Sequence, residues 1–338
     1  MRTFAPAKLK KVPAGPKKKL MINRELIRIK TIQVIYSHYQ KGGTQLDAAE
    51  KELMKSMSKA YDLYNSLLLL MVAVHRIAER TLETAQSRYH RVHDGELPSP
   101  KFVNNLFINQ LACNRQLNEF AEHQNPWLDD EDFIRRLYKQ VAASEAYQEY
   151  MAQDDEAQYE ADRELWRRLY KQVFMKSDEL DALLEEKDLY WNDDRFVIDT
   201  FVMKTINRFE QQAGASQELI PEYRDDEDLE YAKRLLRASL LGADNYHILI
   251  SQFLRNWELS RVAFMDRIIL QTALAEMMTF PQIPVSVSIN EYVNIAKMYS
   301  TPQSGRYVNG LLDAIARYLI ETGKLQKEMP PARGEGKA

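Results

Sequence analysis

Apolar residues recur at steps of three and four along most of this 338-residue chain, which is the spacing of one face of an α-helix. The clearest stripe is formed by Leu63, Leu67, Leu70, Val74 and Ile77. Similar stripes fall in residues 106–117, 133–147 and 231–240. No segment of the middle region alternates with the period of two that marks a half-buried strand. Only 11 glycines and 12 prolines are present, so turns are few and an all-α fold is predicted.

Residues 283–313 carry the densest set of defined polar groups. In the first part, Ile289, Val293 and Ala296 share one helical face and leave polar side chains on the other faces. Thr301 followed by Pro302 predicts the start of a second helix, because a threonine hydroxyl can cap free N–H groups and proline suits the first helical position. The region is therefore predicted to be two short helices joined by a capped turn.

A glycine interrupts the second of these helices. Gly310 follows Arg306, Tyr307 and Asn309 and precedes further apolar residues of the same stripe. Glycine inside a helix costs about 1 kcal/mol relative to alanine. We therefore expect a close backbone approach at Gly310.

The strings IPVSVSINEYVNIAK and SGRYVNGLLD resemble, in order, spacing and side-chain type, the C-terminal signature of the NusB family of bacterial transcription antitermination factors. The likeness continues in NWELSRVAFMDRIILQTALAEM and returns near the N-terminus in RELIRIKTIQVIY. It covers the first and last parts of the chain and leaves the middle without a counterpart. The resemblance implies an RNA-binding protein that acts without catalysis.

The resemblance also divides the chain. It predicts a pair of NusB-like helical bundles, an N-terminal one from residues 22–57 and 224–259 and a C-terminal one from 260–325, with an additional helical domain inserted at 58–223. A first helix containing Leu26 and Ile29 and a second at Leu46–Met57 would precede the insertion. We hypothesise that the insertion shields or extends the surfaces that bind RNA and partner proteins.

The net charge of −3 argues against a nonspecific nucleic-acid binder, but the charge is uneven, with a basic head and an acidic middle. Residues 1–21 hold seven Lys and Arg, no acid and three prolines, which predicts a disordered tail. A second disordered tail is predicted at 326–338. Met21 is as good a candidate start as Met1, because the family likeness begins just after it.

The predicted RNA-binding residues lie in two places. Basic side chains near the start of the first helix suit phosphates, and aromatic rings at the junction of the last two helices suit stacking of unpaired bases, although a solvated helix face and a plugged helix junction are the alternatives. In the family this first region contacts the boxA RNA element. Glu25 and Leu26 stand where the family usually keeps further arginines. The predicted residues are Arg24, Arg28, Lys30, Lys297, Tyr299, Arg306 and Tyr307.

A protein contact is implied by the same resemblance. In NusB the edge of the helix that corresponds to residues 265–278 contacts NusE, a ribosomal small-subunit protein. Asp266 and Arg267, at the expected exposed start of this helix, are the candidates for that contact, with local capping and pairing as the alternative.

Several other classes of function are not supported. The acidic runs at 129–132, 154–156 and 225–228 place consecutive carboxylates in different directions, so a metal site is not predicted, and two of the runs suit helix N-termini. No apolar run reaches membrane-spanning length, and the single Cys113 suits a reducing cytoplasm. A methyltransferase with a NusB-like domain would need a glycine-rich cofactor loop, which is missing. No cofactor, small-molecule substrate or catalytic residue is predicted.

The prediction from sequence is a cytoplasmic antitermination factor that binds boxA-like RNA with NusE in the transcription elongation complex during ribosomal RNA synthesis. The alternative is a protein-interaction module with weak or no RNA binding.

Overall fold

The computed structural model describes residues 24–43, 45–92, 98–153, 158–222, 226–254 and 258–327. The two predicted tails lie outside these residues, apart from 326 and 327. Within the described ranges the chain forms helices and connecting turns and no strand, so the prediction of an all-α fold is confirmed. No helix of those ranges is both long and apolar enough to span a bilayer.

Fourteen α-helices are found in the described residues. The helices of the first half are α1 Arg24–Gln40, α2 Leu46–Val92, α3 Leu106–Ala112, α4 Arg115–His123, α5 Glu131–Ala143, α6 Glu145–Ala152 and α7 Tyr159–Gln172. Those of the second half are α8 Asp178–Lys187, α9 Trp191–Arg208, α10 Asp226–Leu241, α11 Ala243–Phe253, α12 Phe264–Thr279, α13 Val285–Tyr299 and α14 Ser304–Glu321. Short 3₁₀ turns occur at Phe174–Lys176, Gln211–Ser216 and Leu259–Arg261.

The second helix is much longer than predicted. It was expected to end at Met57, but α2 runs without a break for 47 residues, about 70 Å at 1.5 Å per residue. It packs against α1 and α10 and also against α3, α4, α5 and α9. Leu63, Leu67 and the rest of the predicted stripe are buried along this helix. One continuous helix therefore joins the part of the chain with the family likeness to the part without it.

A bundle around α12 forms the family-like core. Nearly every residue from Ile268 to Met277 is buried, because α1, α10, α11, α13 and α14 all pack against α12. The sequence of α12 is apolar on all sides, which is the pattern of an enclosed helix. This helix positions the residues of both predicted contact regions, since one end faces the start of α1 and the other faces the start of α14.

Helices α3, α4, α5 and α9 pack directly against α2, and α6, α7 and α8 pack on those helices. Trp127 anchors one edge by donating its indole N–H to the backbone oxygen of Ser66 at 2.6 Å. The acidic run 129–132 and residues 226–228 of the third run lie at the starts of α5 and α10, as predicted for carboxylates at the positive end of a helix dipole. The run 154–156 lies outside the described residues. The division into subdomains, with an insertion at 58–223, stays a prediction.

Candidate nucleic-acid interface

The junction between α13 and α14 is held by one serine hydroxyl. The hydroxyl of Ser304 donates to Oδ2 of Asp266 at 2.8 Å and accepts from the backbone N–H of Thr301 at 3.2 Å. Helix α14 begins at Ser304 rather than at Thr301 and Pro302 as predicted, and the Thr301 hydroxyl bonds to Ser304 rather than capping a backbone N–H. The turn is therefore fixed to the start of α12 through Asp266.

Three of the predicted RNA-binding residues are exposed at this junction: Lys297, Arg306 and Tyr307. Gly305 brings two of them together, because α14 approaches α13 so closely that a Cβ at Gly305 would lie 2.7 Å from Cγ of Lys297. The stem of Lys297 thus lies over Gly305, next to Arg306. The prediction of a close backbone approach at Gly310 is wrong, since a Cβ there would meet nothing within 4 Å.

Tyr299, the fourth predicted residue of the junction, is only partly exposed. Its hydroxyl donates to the backbone oxygen of Asp193, in the first turn of α9, at 3.3 Å. Burial, together with the acidic side chains of Asp194 and Asp193, raises the pKa of Tyr299. Its ring therefore lies at the seam between α13 and the predicted insertion.

The prediction for Arg28 is wrong in its premise, because this side chain is buried rather than exposed, with an accessibility of 3%. Its Nε donates to Oε2 of Glu276 at 2.7 Å, and its Nη2 donates to Oε1 at 3.1 Å. A third contact, from Nη1 to Glu291, is 3.1 Å long. An enclosed guanidinium with two carboxylate partners has no free pair of N–H donors with which to bind a phosphate.

Glu276 is the centre of this buried cluster. Besides Arg28 it accepts hydrogen bonds from the hydroxyls of Ser288 at 2.6 Å, Tyr292 at 3.3 Å and Tyr231. Burial by itself would raise the pKa of Glu276, but the charge of Arg28 and these donors outweigh it and hold the pKa below its usual value. One carboxylate thus connects α1, α10, α12 and α13, a role that the sequence analysis did not predict.

Lys30 is also buried rather than exposed, with an accessibility of 1%. Its Nζ lies 2.5 Å from Oδ2 of Asp194 in α9, and Asp194 is fully buried. Burial raises the pKa of Asp194 to about 6, against the opposing effect of Lys30. Lys30 therefore fastens α1 to α9 and does not face solvent.

Arg24 remains partly accessible at the start of α1. Its Nη2 donates to Glu227 at 3.0 Å, and its guanidinium lies 4.9 Å from the centre of the Tyr231 ring. This region adjoins Glu276 near the end of α12, whereas the α13–α14 junction adjoins Asp266 near its start. Ten residues of helix separate the two positions, about 15 Å. The two predicted RNA-binding regions are therefore distinct patches.

The residues proposed for the protein contact differ in exposure. Asp266 is buried, in contrast to the prediction of an exposed start, because Ser304 and α14 cover it. Its buried Oδ1 has no hydrogen-bond partner. Asp266 also contributes to a mostly apolar groove of about 490 Å³, lined by Phe253, Leu254, Arg261, Val262, Ala263, Asp266, Tyr307 and Leu311. Arg267 is half-buried, with its guanidinium 5.1 Å from the centre of the Phe264 ring.

The described part of the chain contains no group of three or more His, Cys, Asp or Glu side chains arranged to hold a metal ion. The exposed site is instead a small patch of two cations and a tyrosine ring, Lys297, Arg306 and Tyr307, with Tyr299 at its edge. Such a patch can pair with phosphates and stack on bases.

Comparison with known proteins relates this patch to a family. The NusB family model matches residues 197–317, which contain the patch and reach into the predicted insertion. The transcription antitermination protein NusB of Salinibacter ruber is 36% identical over 132 residues, covering 37% of this chain and 82% of that protein. The protein of the same name from Dictyoglomus thermophilum is 42% identical over 97 residues, covering 29% and 67%.

A solved structure, T. maritima NusB, is 33% identical and covers 35% of this chain and 82% of its own, with a TM-score of 0.27 that is too low to support an argument from structure. The similarity in sequence is sufficient without it, because the chain matches most of the length of the Salinibacter protein. The chain belongs to the NusB family of transcription antitermination proteins.

Proposed function

We propose that this protein binds boxA-like single-stranded RNA together with the ribosomal protein NusE during transcription of ribosomal RNA. The observation that carries the proposal is the exposure of Lys297, Arg306 and Tyr307 on one patch, within the sequence that matches the family. The role requires binding and no chemical step. Because the transcription machinery is the expected partner, the cytoplasm is the expected location.

The chemistry of the patch fits an unpaired strand. Lys297 and Arg306 supply cations that displace counterions from phosphates. Tyr307 is 38% exposed, so part of its side chain is accessible to a base. Stacking of a base on an aromatic side chain contributes about 1–3 kcal/mol. Arg24, although paired with Glu227, adds a partly accessible cation at the second patch.

The test is to measure binding of a boxA-containing RNA, with and without NusE, over a range of salt concentrations. Arg306→Ala should weaken binding and reduce the slope of log affinity against log salt by about one, because one phosphate contact is lost. Tyr307→Ala should weaken binding without changing the slope. If the unmodified protein binds no RNA in either condition, the proposal is wrong.

A matched pair of glycine substitutions tests the patch without removing a charge. Gly305→Ala must displace the stem of Lys297, so RNA affinity should fall. In Gly310→Ala the added methyl group has no neighbour within 4 Å, so RNA affinity should be unchanged. Equal RNA affinities for the two variants would mean that the position of Lys297 over Gly305 is irrelevant to binding.

For NusE we propose the groove beside Asp266 as the contact surface. Its walls are mostly apolar and Arg261 is exposed at its edge, so it suits an apolar side chain of a partner protein with an acidic neighbour. Ala263 is exposed at its rim, and Ala263→Glu should abolish NusE binding measured by calorimetry while leaving the melting temperature unchanged. Undiminished binding of NusE would exclude the groove.

A second candidate function is a protein-interaction module with weak RNA binding. It is favoured by one specific observation, namely that Arg28 and Lys30, two of the seven predicted RNA contacts, are buried and neutralised by acids. The RNA titration separates the two candidates, because the module would bind NusE but show no salt-dependent affinity for boxA RNA.

A further inference from the structure

Residues 188–194, which lead into α9 and form its first turn, are tied to helices outside their own region. The hydroxyl of Tyr190 donates to Oε1 of Glu52 in α2 at 2.6 Å. Trp191 donates its indole N–H to the backbone oxygen of Lys59, also in α2, at 3.0 Å. These two bonds fix the start of α9 to α2.

The next two residues of this turn reach the family-like core on two different helices. Asp194 pairs with Lys30 of α1 at 2.5 Å, and the backbone oxygen of Asp193 accepts a hydrogen bond from Tyr299 of α13 at 3.3 Å. The body of α9 packs instead against α2, α7 and α8. The first turn is therefore the part of α9 that contacts both α1 and α13.

Tyr299 is covered by this contact. Its side chain packs against the hydrophobic core and is only partly exposed, whereas Tyr307 is exposed. Burial, together with the carboxylates of Asp194, Asp193 and Glu25, raises the pKa of Tyr299, so acidic groups lie close to its hydroxyl. An RNA phosphate that approached this ring would be repelled. In the closed arrangement only one of the two predicted rings is therefore available to a base.

The contact between Asp194 and α1 is not strongly stabilised. Neither carboxylate oxygen of Asp194 accepts a hydrogen bond from the described residues, and Lys30 is its ion-pair partner. Burial raises the pKa of Asp194 to about 6, Lys30 opposes this, and the like charges of Asp193 and Asp188 add to it. A buried ion pair that is compensated so incompletely contributes less stability than a fully satisfied one.

We propose that the first turn of α9 is an autoinhibitory contact, which covers Tyr299 and thereby limits the affinity of the protein for single-stranded RNA. This inference rests on the proposed function. The closed form binds through Lys297, Arg306 and Tyr307. When residues 188–194 move away from α13, Tyr299 becomes a second ring for a base. Because only the open fraction of molecules uses this ring, a change that weakens the contact raises the apparent affinity.

The test is titration of full-length variants with boxA-containing RNA. Lys30→Met removes the partner of Asp194 and should raise RNA affinity by up to about tenfold, within the range for one added stacked base. The direction of this change is decisive, because removing a cation that contacts a phosphate would weaken binding instead.

Substitutions of Tyr299 test whether its ring is what the contact covers. Tyr299→Phe keeps the ring and loses the bond to Asp193, so RNA affinity should rise by about threefold. This variant gives a result even if Lys30→Met does not fold. When Lys30→Met is combined with Tyr299→Ala, the gain in affinity should disappear, because no second ring can be exposed.

Arg136→Met is the control, because it removes another ion pair of the α3 to α9 region, formed with Glu179 at 2.6 Å, and should leave RNA affinity unchanged. Lower affinity in Lys30→Met, no gain in Tyr299→Phe, or a gain that survives Tyr299→Ala would overturn the inference while leaving the proposed function intact. If the unmodified protein does not bind RNA with or without NusE, both fall.

Discussion

Two buried ion pairs on helix α1, only two residues apart, have very different surroundings. Arg28 faces the family core, where it forms two hydrogen bonds to Glu276 and a third to Glu291. Lys30 faces α9, where it forms a single contact with Asp194. Glu276 has three further hydroxyl donors, whereas neither carboxylate oxygen of Asp194 has a hydrogen-bond partner besides the Lys30 ion pair.

The pKa values of the two carboxylates shift in opposite directions, although burial alone would raise both. The pKa of Glu276 is lowered, because its partners stabilise the charge by more than burial opposes it. The pKa of Asp194 is raised to about 6, because one lysine does not offset its burial. The core pair is thus a fully satisfied network, and the pair at the seam with α9 is an incompletely compensated one.

The largest effect is expected from breaking the core pair. Arg28→Met keeps an apolar stem but leaves the Glu276 carboxylate buried without its cation, which should lower the free energy of unfolding by about 3–5 kcal/mol. The free energy of unfolding is measured by denaturant titration. Arg24→Met, which removes an exposed pair with Glu227, is the control and should cost less than about 1 kcal/mol. Similar losses of unfolding free energy for both variants would show that the buried pair contributes no more to stability than the exposed one.

The next effect is a pH dependence of opposite sign in the two pairs. Asp194 has a pKa of about 6 when folded against 3.8 in the reference state, so its contribution to stability is present below pH 4 and is lost as pH rises through 6. The change is about 3 kcal/mol for two pKa units. The unfolding free energy of Asp194→Asn relative to the unmodified protein should therefore rise by about that amount between pH 4 and pH 7.

Glu276→Gln is the matched variant for the other sign. Because the folded-state pKa of Glu276 is lowered, its contribution is present above about pH 4.5 and is lost as pH falls through the folded value. The deficit of Glu276→Gln should therefore shrink as the solution becomes more acidic. Parallel pH profiles for the two variants would contradict the comparison.

A smaller effect is expected from breaking the pair at the seam. Lys30→Met leaves Asp194 able to take up a proton and become neutral, so the loss at pH 7 should be about 1–3 kcal/mol, less than for Arg28→Met. At pH 5, where Asp194 is already mostly protonated, the loss should be smaller still. The free energy of unfolding is measured by chemical denaturation at both pH values. An equal loss at pH 5 and pH 7 would show that Asp194 stays charged.

The smallest effect concerns the second contact of the seam, between Tyr299 and the backbone of Asp193. Tyr299→Phe removes one hydrogen bond of 3.3 Å and should cost about 0.5–1.5 kcal/mol in thermal or chemical unfolding. Tyr307→Phe removes a hydroxyl from an exposed ring and should cost nothing measurable. A loss for Tyr299→Phe larger than the loss measured for Lys30→Met would mean that the seam depends on this bond more than on the Lys30 pair.

The helices were predictable because their signals are local. The stripe from Leu63 to Ile77 and the acids at the starts of α5 and α10 depend on residues within one helix, and the structure agrees with both. The end of α2 was not predictable in this way. Ser58 follows Met57 without any helix-breaking residue, and the family likeness, not the local sequence, suggested a boundary there.

The burial of Arg28 and Lys30 depends on distant partners. Glu276 and Asp194 are far from α1 in sequence, so the residues near the two cations do not predict an ion pair. One local signal was available, because the apolar residues of α1 cover most of its circumference and are all buried, namely Leu26, Ile27, Ile29, Ile32, Val34 and Ile35. A helix that is apolar on most sides leaves little exposed surface for a cation.

The two glycines of α14 show the same limit at the candidate site. Sequence alone singles out Gly310, because it interrupts an apolar stripe, yet nothing lies near it. Gly305, at the start of the helix, is the one that α13 approaches, and only the packing of the two helices reveals this. Lys297, Arg306 and Tyr307 are exposed, as RNA binding would require, and their role stays a prediction.

The unbroken length of α2 has a mechanical consequence. Because one helix of about 70 Å passes from the family core into the region of α3 to α9, it acts as a stiff lever with no hinge between them. A tilt of about 5° at the core end would move the far end by about 6 Å. Binding that slightly reorients α1 and α10 would therefore be amplified into a displacement that a second protein could sense at a distance.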